Sequence, residues 1–152
     1  MTDTDDATEL NFRGYVTQKA VVFNERDEIL IVRPGTDGSW SIPGGRVQDG
    51  EDADEALARE IREETDLSVR VCDPVHTMTE VWHTSSGEPM FTVVYRCVTD
   101  ERSIELNHEH EAYQWTSFEN ARASMPFEPL GVAVERAHAR HQHTPSAPSS
   151  TN

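Results

Sequence analysis

Residues 45–67 read GRVQDGEDADEALAREIREETDL, and this stretch decides what the rest of the chain must build around it. Residues three and four apart lie on one face of an α-helix. By that spacing, the apolar stripe of the first two turns is continued by Glu60, Glu63 and Glu64. The stretch therefore predicts a helix that carries three carboxylates where a core-facing helix would carry Leu or Val.

The sequence also predicts where this helix begins and ends. Asp52 is a good N-cap residue, and Glu55 follows it at the spacing of a capping box. We expect the helix to begin near Ala53 and to end near Asp66.

Three carboxylates on one helix face repel one another, and partial burial adds a desolvation penalty. A hard divalent cation with oxygen ligands removes both problems. The alternative is a solvated acidic face, on which Arg59 and Glu63 form an ordinary i,i+4 pair. The turn Pro43-Gly44-Gly45 upstream and the arginine inside the acidic run favour a magnesium site suited to phosphate chemistry.

The stretch resembles the signature of the Nudix hydrolases: Gly, five residues, Glu, seven residues, Arg-Glu-apolar-any-Glu-Glu-any-Gly-apolar. The matching positions are Gly45, Glu51, Arg59, Glu60, Ile61, Glu63, Glu64 and Leu67. Asp66 departs from it, because the family usually has Gly there. Asp tolerates the left-handed conformation that ends a helix, so we expect Asp66 to cap the helix and to leave the metal site intact.

The resemblance implies an α/β fold, an α/β/α sandwich with a mixed β-sheet. It also implies Mg²⁺-dependent hydrolysis of a diphosphate bond in a nucleoside diphosphate linked to another moiety, with Mn²⁺ as an alternative cofactor. Substrates of the nucleoside triphosphate type and of the ADP-ribose type both fit. The alternative function is a non-catalytic, Nudix-like nucleotide-binding or sensor module. Such modules commonly lose carboxylates of the signature stretch, residues 45–67, which is called the box below. This chain keeps Glu60, Glu63 and Glu64.

The resemblance further implies roles for individual residues. The implied metal ligands are the Gly44 carbonyl, Glu60, Glu63 and Glu64. The implied catalytic residues are Arg59, Glu60, Glu63, Glu109 and Glu111. Among these residues, Arg59 would orient the carboxylates by charge-assisted hydrogen bonds. The favoured general base is a glutamate of the signature stretch, Glu63 or Glu60, and the acids of the later loop, Glu109 and Glu111, are further candidates.

Residues beside the box are candidates for substrate binding. Arg33 and Arg46 could clamp phosphate, or could be ordinary exposed arginines. A second group of residues, Trp40, Trp82 and Phe91, could stack on a base, although strand aromatics are more often part of a core.

Two histidines, His108 and His110, flank Glu109. A loop histidine near a metal site can act in acid–base steps or contact phosphate. A solvent-exposed pair is an equal alternative.

We expect one domain over residues 12–141, with disordered segments at 1–11 and 142–152. Hydrophobic patterning predicts strands at about 14–24, 28–33, 39–42, 67–72, 75–83, 90–99 and 112–116. It predicts further helices at about 118–124 and 130–141, and a turn at 85–89.

The composition is strongly acidic, with 28 Asp and Glu against 13 Lys and Arg and a formal charge of −15. Lys19 is the only lysine, and this balance indicates a halophilic protein in which salt screens self-repulsion. The acidic surface argues against binding nucleic acid. Two cysteines, the absence of an apolar run that could span a membrane, and no signal-peptide pattern indicate a cytoplasmic chain. Its expected partner is a small nucleotide, and a homodimer is left open.

Overall fold

The computed structural model describes residues 11–35, 38–80 and 87–144. The strands in these ranges are β1 Tyr15–Phe23, β2 Ile29–Pro34, β3 Gly44–Arg46, β4 Arg70–Glu80, β5 Met90–Val98 and β6 His110–Thr116. The helices are α1 Ala53–Thr65, α2 Phe118–Ser124 and α3 Glu128–His143.

The strands form one mixed sheet in the order β4-β5-β1-β2-β6, and β3 pairs with β1 beside this path. β1 and β5 run parallel, whereas the pairs β1–β2, β1–β3, β2–β6 and β4–β5 are antiparallel. The predicted mixed sheet is therefore confirmed.

The sheet is covered on both faces because its central strands are apolar at consecutive positions. Successive side chains of a strand point to opposite faces. Val21 and Phe23 belong to the core cluster that contains residues of α2 and α3. Ala20 and Val22 belong to the second cluster, which contains residues of α1. Helices thus lie on both sides of the sheet, and the predicted α/β/α sandwich is confirmed.

The expected strand at 39–42 is a single bridge, in which Ser41 pairs with Val32. The strand forms later, as β3, where Gly44 pairs with Lys19. A Cβ on Gly44 would lie 2.0 Å from the carbonyl oxygen of Gln18. Only glycine allows the two backbones to approach this closely.

The two strands expected at 67–72 and 75–83 are one strand, β4. Its pairing with β5 shifts register on either side of Pro74. Proline lacks a backbone N–H, so it interrupts the ladder of hydrogen bonds without ending the strand here. Residues 81–83, Trp82 among them, and the first part of the expected turn lie outside the described residues.

The last helix, α3, begins two residues earlier than expected, with Pro129 in its first turn. It extends to His143, and most of both expected disordered segments lies outside the described residues. Within the described ranges, no helix is both long and apolar enough to cross a membrane.

Candidate active site

The helix α1 carries the box carboxylates and has the ends that the sequence predicted. Asp52 accepts a hydrogen bond from the backbone N–H of Glu55 at 3.3 Å. Asp66 has φ 66° and ψ 14°, and its N–H donates to the carbonyl of Arg62. Asp66 therefore ends the helix in the left-handed conformation, as expected of the residue that replaces Gly.

Glu64 is the most buried of the box carboxylates, with 3% of its side chain exposed. Its Oε1 lies 3.3 Å from the backbone N–H of Gly44 and 3.0 Å from Nε2 of His110. A buried carboxylate is costly unless it is hydrogen-bonded or paired with a cation. Glu64 therefore marks the point where α1, β3 and β6 meet.

Glu60 lies one turn earlier on the same face of α1, with 16% of its side chain exposed. A Cβ on Gly45 would lie 2.3 Å from its carboxyl carbon, so glycine makes room for this side chain. Burial raises the pKa of Glu60 to about 7, and the carboxylates of Glu64 and Glu63 add to the shift while Arg59 opposes it. This crowding of negative charge is the condition that a divalent cation would relieve.

Arg59 donates hydrogen bonds to three carboxylates of the box. Its Nε and Nη2 donate to the two carboxylate oxygens of Glu51 at 2.7 and 3.0 Å. Its Nη1 donates to Glu60 at 3.3 Å and to Glu63 at 3.1 Å. These charge-assisted bonds raise the pKa of Arg59 and lower that of Glu51. Arg59 is thus placed to orient the carboxylates.

Glu63 has a different environment from the other two glutamates. Its side chain is 55% exposed and is bonded to Arg59. Glu60 and Glu64 are four residues apart on one face, and Glu63 lies at the exposed edge of that face. The structure therefore brings together Glu60 and Glu64 most closely, with Glu63 beside them.

The two acids of the later loop separate from each other. Carboxylate oxygens of Glu109 and Glu64 and a ring nitrogen of His110 all lie within 4.8 Å of one another. Glu111 is exposed and lies 3.9 Å from Arg33. Both side chains are exposed, and they differ in their partners: Glu109 faces Glu64 of the box helix, whereas Glu111 forms an ion pair with Arg33.

His110 is the residue whose importance the sequence left undecided. Its side chain is 10% exposed at the start of β6, whereas His108 is exposed. Its Nδ1 is buried and has no hydrogen-bond partner among the described residues. Its position directly after Glu109 in the sequence indicated a possible role at a metal site. Its proximity to Glu64, however, depends on the pairing of β6 with β2.

The candidate substrate-binding arginines both lie over aromatic rings. The guanidinium carbon of Arg46 is 3.9 Å from the ring centre of Tyr15. That of Arg33 is 5.4 Å from the ring centre of Trp40, which packs against the core. Phe91 makes an edge contact with the ring of Phe12. These contacts fix the positions of the arginines and leave their role in substrate binding as a prediction.

A cavity of about 910 Å³ lies elsewhere, between the β1–β2 turn, the ends of β4 and β5, and α3. His141 lines it, stacks on Phe23 and bonds to Asp27. None of the residues of the carboxylate cluster around Glu64 lines this cavity. The chemistry of the box therefore belongs to the surface where α1, β3 and β6 meet.

The residues at that surface fit a divalent cation. Buried and half-buried carboxylates supply hard oxygen ligands, and Nε2 of His110 lies 3.0 Å from Oε1 of Glu64. Gly45 leaves the space beside Glu60 free of a side chain.

The NUDIX domain family matches residues 16–135 of this chain. The chain is 32% identical over 117 residues to an octanoyltransferase of Myxococcus xanthus, which covers 73% of this chain and 32% of that protein. It is 32% identical over 91 residues to the nucleoside triphosphatase NudI of Escherichia coli K12, covering 55% of this chain and 64% of NudI. The chain thus spans less than two thirds of the length of each of these relatives.

The crystal structure of a MutT protein from Methanosarcina mazei Go1 has a similar fold, with a TM-score of 0.73. The two chains are 24% identical, and the match covers 90% of this chain and 100% of the other. This chain belongs to the Nudix hydrolase family, and the resemblance of its box to the family signature is confirmed.

Proposed function

We propose that this chain is a Mg²⁺-dependent pyrophosphohydrolase that cleaves a diphosphate bond in a nucleoside diphosphate linked to another moiety. The observation that carries the proposal is the position of Glu60 and Glu64 one turn apart on α1, with Glu109, in the turn before β6, facing Glu64. Carboxylates from two separate elements converge on one place, which a merely solvated acidic helix would not require.

The residues that would hold the cation are the Gly44 carbonyl, Glu60, Glu63 and Glu64. Glu60 and Glu64 would be the inner pair, since Glu63 is more exposed. A bound Mg²⁺ would neutralise charge on the phosphate oxygens and position the attacking water. Mn²⁺ is the alternative cation.

We favour Glu60 as the group that accepts the proton of the attacking water. It is half-buried beside Gly45, and one of its oxygens is held by Arg59. Glu63 is bound to Arg59 through both oxygens, which makes it the weaker candidate. Among the loop acids, Glu109 is near enough to contribute, and Glu111 is engaged with Arg33.

A nucleoside triphosphate is the substrate that we place first, because the relative NudI is a nucleoside triphosphatase. ADP-ribose remains the second candidate. Arg33 and Arg46 are the proposed phosphate contacts. Both guanidinium groups lie over aromatic rings, and Arg33 is also paired with Glu111 at 3.9 Å, so a phosphate would have to compete with Glu111 for Arg33.

The second candidate function is a nucleotide-binding sensor without catalysis. The retained carboxylates Glu60, Glu63 and Glu64 argue for the enzyme, because a sensor has no need of a crowded and costly acidic cluster.

The test is hydrolysis of a panel of nucleoside triphosphates, dinucleoside polyphosphates and ADP-ribose, with Mg²⁺ and high salt. We expect release of a nucleoside monophosphate from at least one compound and no release when EDTA replaces Mg²⁺. The wild type and the Glu64→Gln variant are compared throughout. Binding of a nucleotide by calorimetry, without cleavage of any compound, would favour the sensor.

We further propose a cytoplasmic location and, as the assembly, either a monomer or a homodimer. Cys72 and Cys97 are both free thiols, as a reducing compartment requires. The partner is a small nucleotide.

The acidic composition carries a proposal of its own, adaptation to high salt. We expect the melting temperature at neutral pH to rise by about 5 °C or more between low salt and molar KCl, because salt screens the repulsion within a chain of formal charge −15. Thermal unfolding followed by circular dichroism measures this. The dependence should shrink at acidic pH, where carboxylates become protonated, and an equal melting temperature at both salt concentrations would contradict the proposal.

A further inference from the structure

The cluster formed by Glu64, Glu109 and His110 contains an imidazole among carboxylates. His110 is nine-tenths buried, its Nε2 lies 3.0 Å from Glu64 Oε1, and its Nδ1 has no partner among the described residues. An oxygen-only cation site would not need this ring.

Ligand chemistry distinguishes the cations that such a cluster can hold. Mg²⁺ prefers oxygen ligands and gives up its water reluctantly. Imidazole nitrogen is a good ligand for first-row transition metal ions, and their affinity for nitrogen-containing sites is higher than that of Mg²⁺. A buried imidazole beside two carboxylates therefore favours a transition metal ion.

The distances also agree with a shared cation. At metal–ligand distances of about 2.2 Å, neighbouring ligands in an octahedral site are about 3 Å apart and opposite ones about 4.4 Å. The 3.0 Å between His110 and Glu64, and the 4.8 Å limit for all three ligand atoms, are close to this range. A cation could replace the hydrogen bond between His110 and Glu64 with small side-chain movements.

We propose that Glu64, Glu109 and His110 form a mixed nitrogen–oxygen position that binds a first-row transition metal ion such as Mn²⁺ in preference to Mg²⁺. It lies beside the oxygen-only position at Glu60 and shares Glu64 with it. The inference rests on the proposed function only in that the same surface would hold the catalytic cation. His110 would then determine which metal the enzyme selects.

The experiment uses the full chain and Mn²⁺ as the probe, and its readout is spectroscopic. Pulsed electron paramagnetic resonance of the Mn²⁺-loaded protein should detect coupling to a ¹⁴N nucleus, and this coupling should persist in a tenfold excess of Mg²⁺. In His110→Gln the coupling should disappear, and Mn²⁺ affinity should fall by roughly tenfold or more while Mg²⁺ affinity changes little. His108→Gln, two residues away on an exposed ring, is the matched control and should keep both properties.

Circular dichroism establishes that each variant is folded. The paramagnetic resonance spectrum of the Mn²⁺-loaded wild type tests the proposal even if a variant does not fold. Wild-type Mn²⁺ without ¹⁴N coupling would overturn the proposal, as would coupling that survives in His110→Gln. These outcomes are independent of catalysis. Hydrolysis with Mg²⁺ but no ¹⁴N coupling would remove only this inference, and ¹⁴N coupling without hydrolysis of any nucleotide would remove only the proposed function.

Discussion

Replacing Glu64 by glutamine is expected to lower kcat for nucleotide hydrolysis by about a thousandfold, equivalent to about 4 kcal/mol of transition-state stabilisation. Glutamine has nearly the same shape and can still accept the hydrogen bond from Gly44, so the fold should survive. The negative charge is lost at the most buried position of the cluster, where the surroundings screen it least. Steady-state kinetics at saturating nucleotide and metal measure the effect.

The matched control is Glu55→Gln, the same change in the first turn of the same helix. The Glu55 side chain is exposed and lies outside the candidate metal cluster. The kcat of the Glu55→Gln variant should stay within about twofold of the wild-type value. If Glu64→Gln kept a tenth or more of the wild-type rate, Glu64 would not be a ligand of the catalytic cation.

The second large effect concerns folding: Gly44→Ala is expected to destabilise the protein by about 3 kcal/mol or more. The new Cβ would lie 2.0 Å from the carbonyl oxygen of Gln18 and 2.7 Å from the Cα of Lys19. Both atoms belong to the backbone of β1, the central strand, so neither can move aside cheaply. Strand β3 would have to separate from β1, and urea unfolding would measure the loss.

Gly45→Ala makes the same chemical change one residue later and separates folding from function. Its Cβ would meet the carboxyl end of Glu60, which belongs to a flexible side chain. We expect the free energy of unfolding of this variant to lie within about 1 kcal/mol of the wild-type value. Its kcat should fall by at least about a hundredfold, because the new methyl group displaces the Glu60 carboxylate. Equal stability of the two alanine variants would contradict this account of the double glycine.

The sequence by itself determined the elements that depend on near neighbours in the chain. The ends of α1, including the left-handed conformation of Asp66, follow from residues within one turn of each end. The box carboxylates follow from the spacing of the box, and family membership from its resemblance to the Nudix signature. Helix capping and helix periodicity are local, so a linear pattern can specify them.

Two features of the strands depended on contacts between distant segments. β3 exists because Gly44 lets two backbones approach, and this requires knowing that Lys19 is its partner. β4 continues through Pro74 because β5 supplies hydrogen bonds on both sides of the interruption. Patterning within a segment cannot reveal a partner that folding supplies.

Only the tertiary structure decided how the carboxylates differ and which residues join them. Periodicity placed Glu63 with Glu60 and Glu64, yet Glu63 is exposed and bonded to Arg59, whereas Glu64 contacts Gly44 and His110 and Glu60 lies against Gly45. His110 and Glu64 are separated by 46 positions and meet at 3.0 Å because β6 pairs with β2. Burial and long-range proximity are properties of the packed sheet, and the sheet order that creates them is not written in any single segment of the sequence.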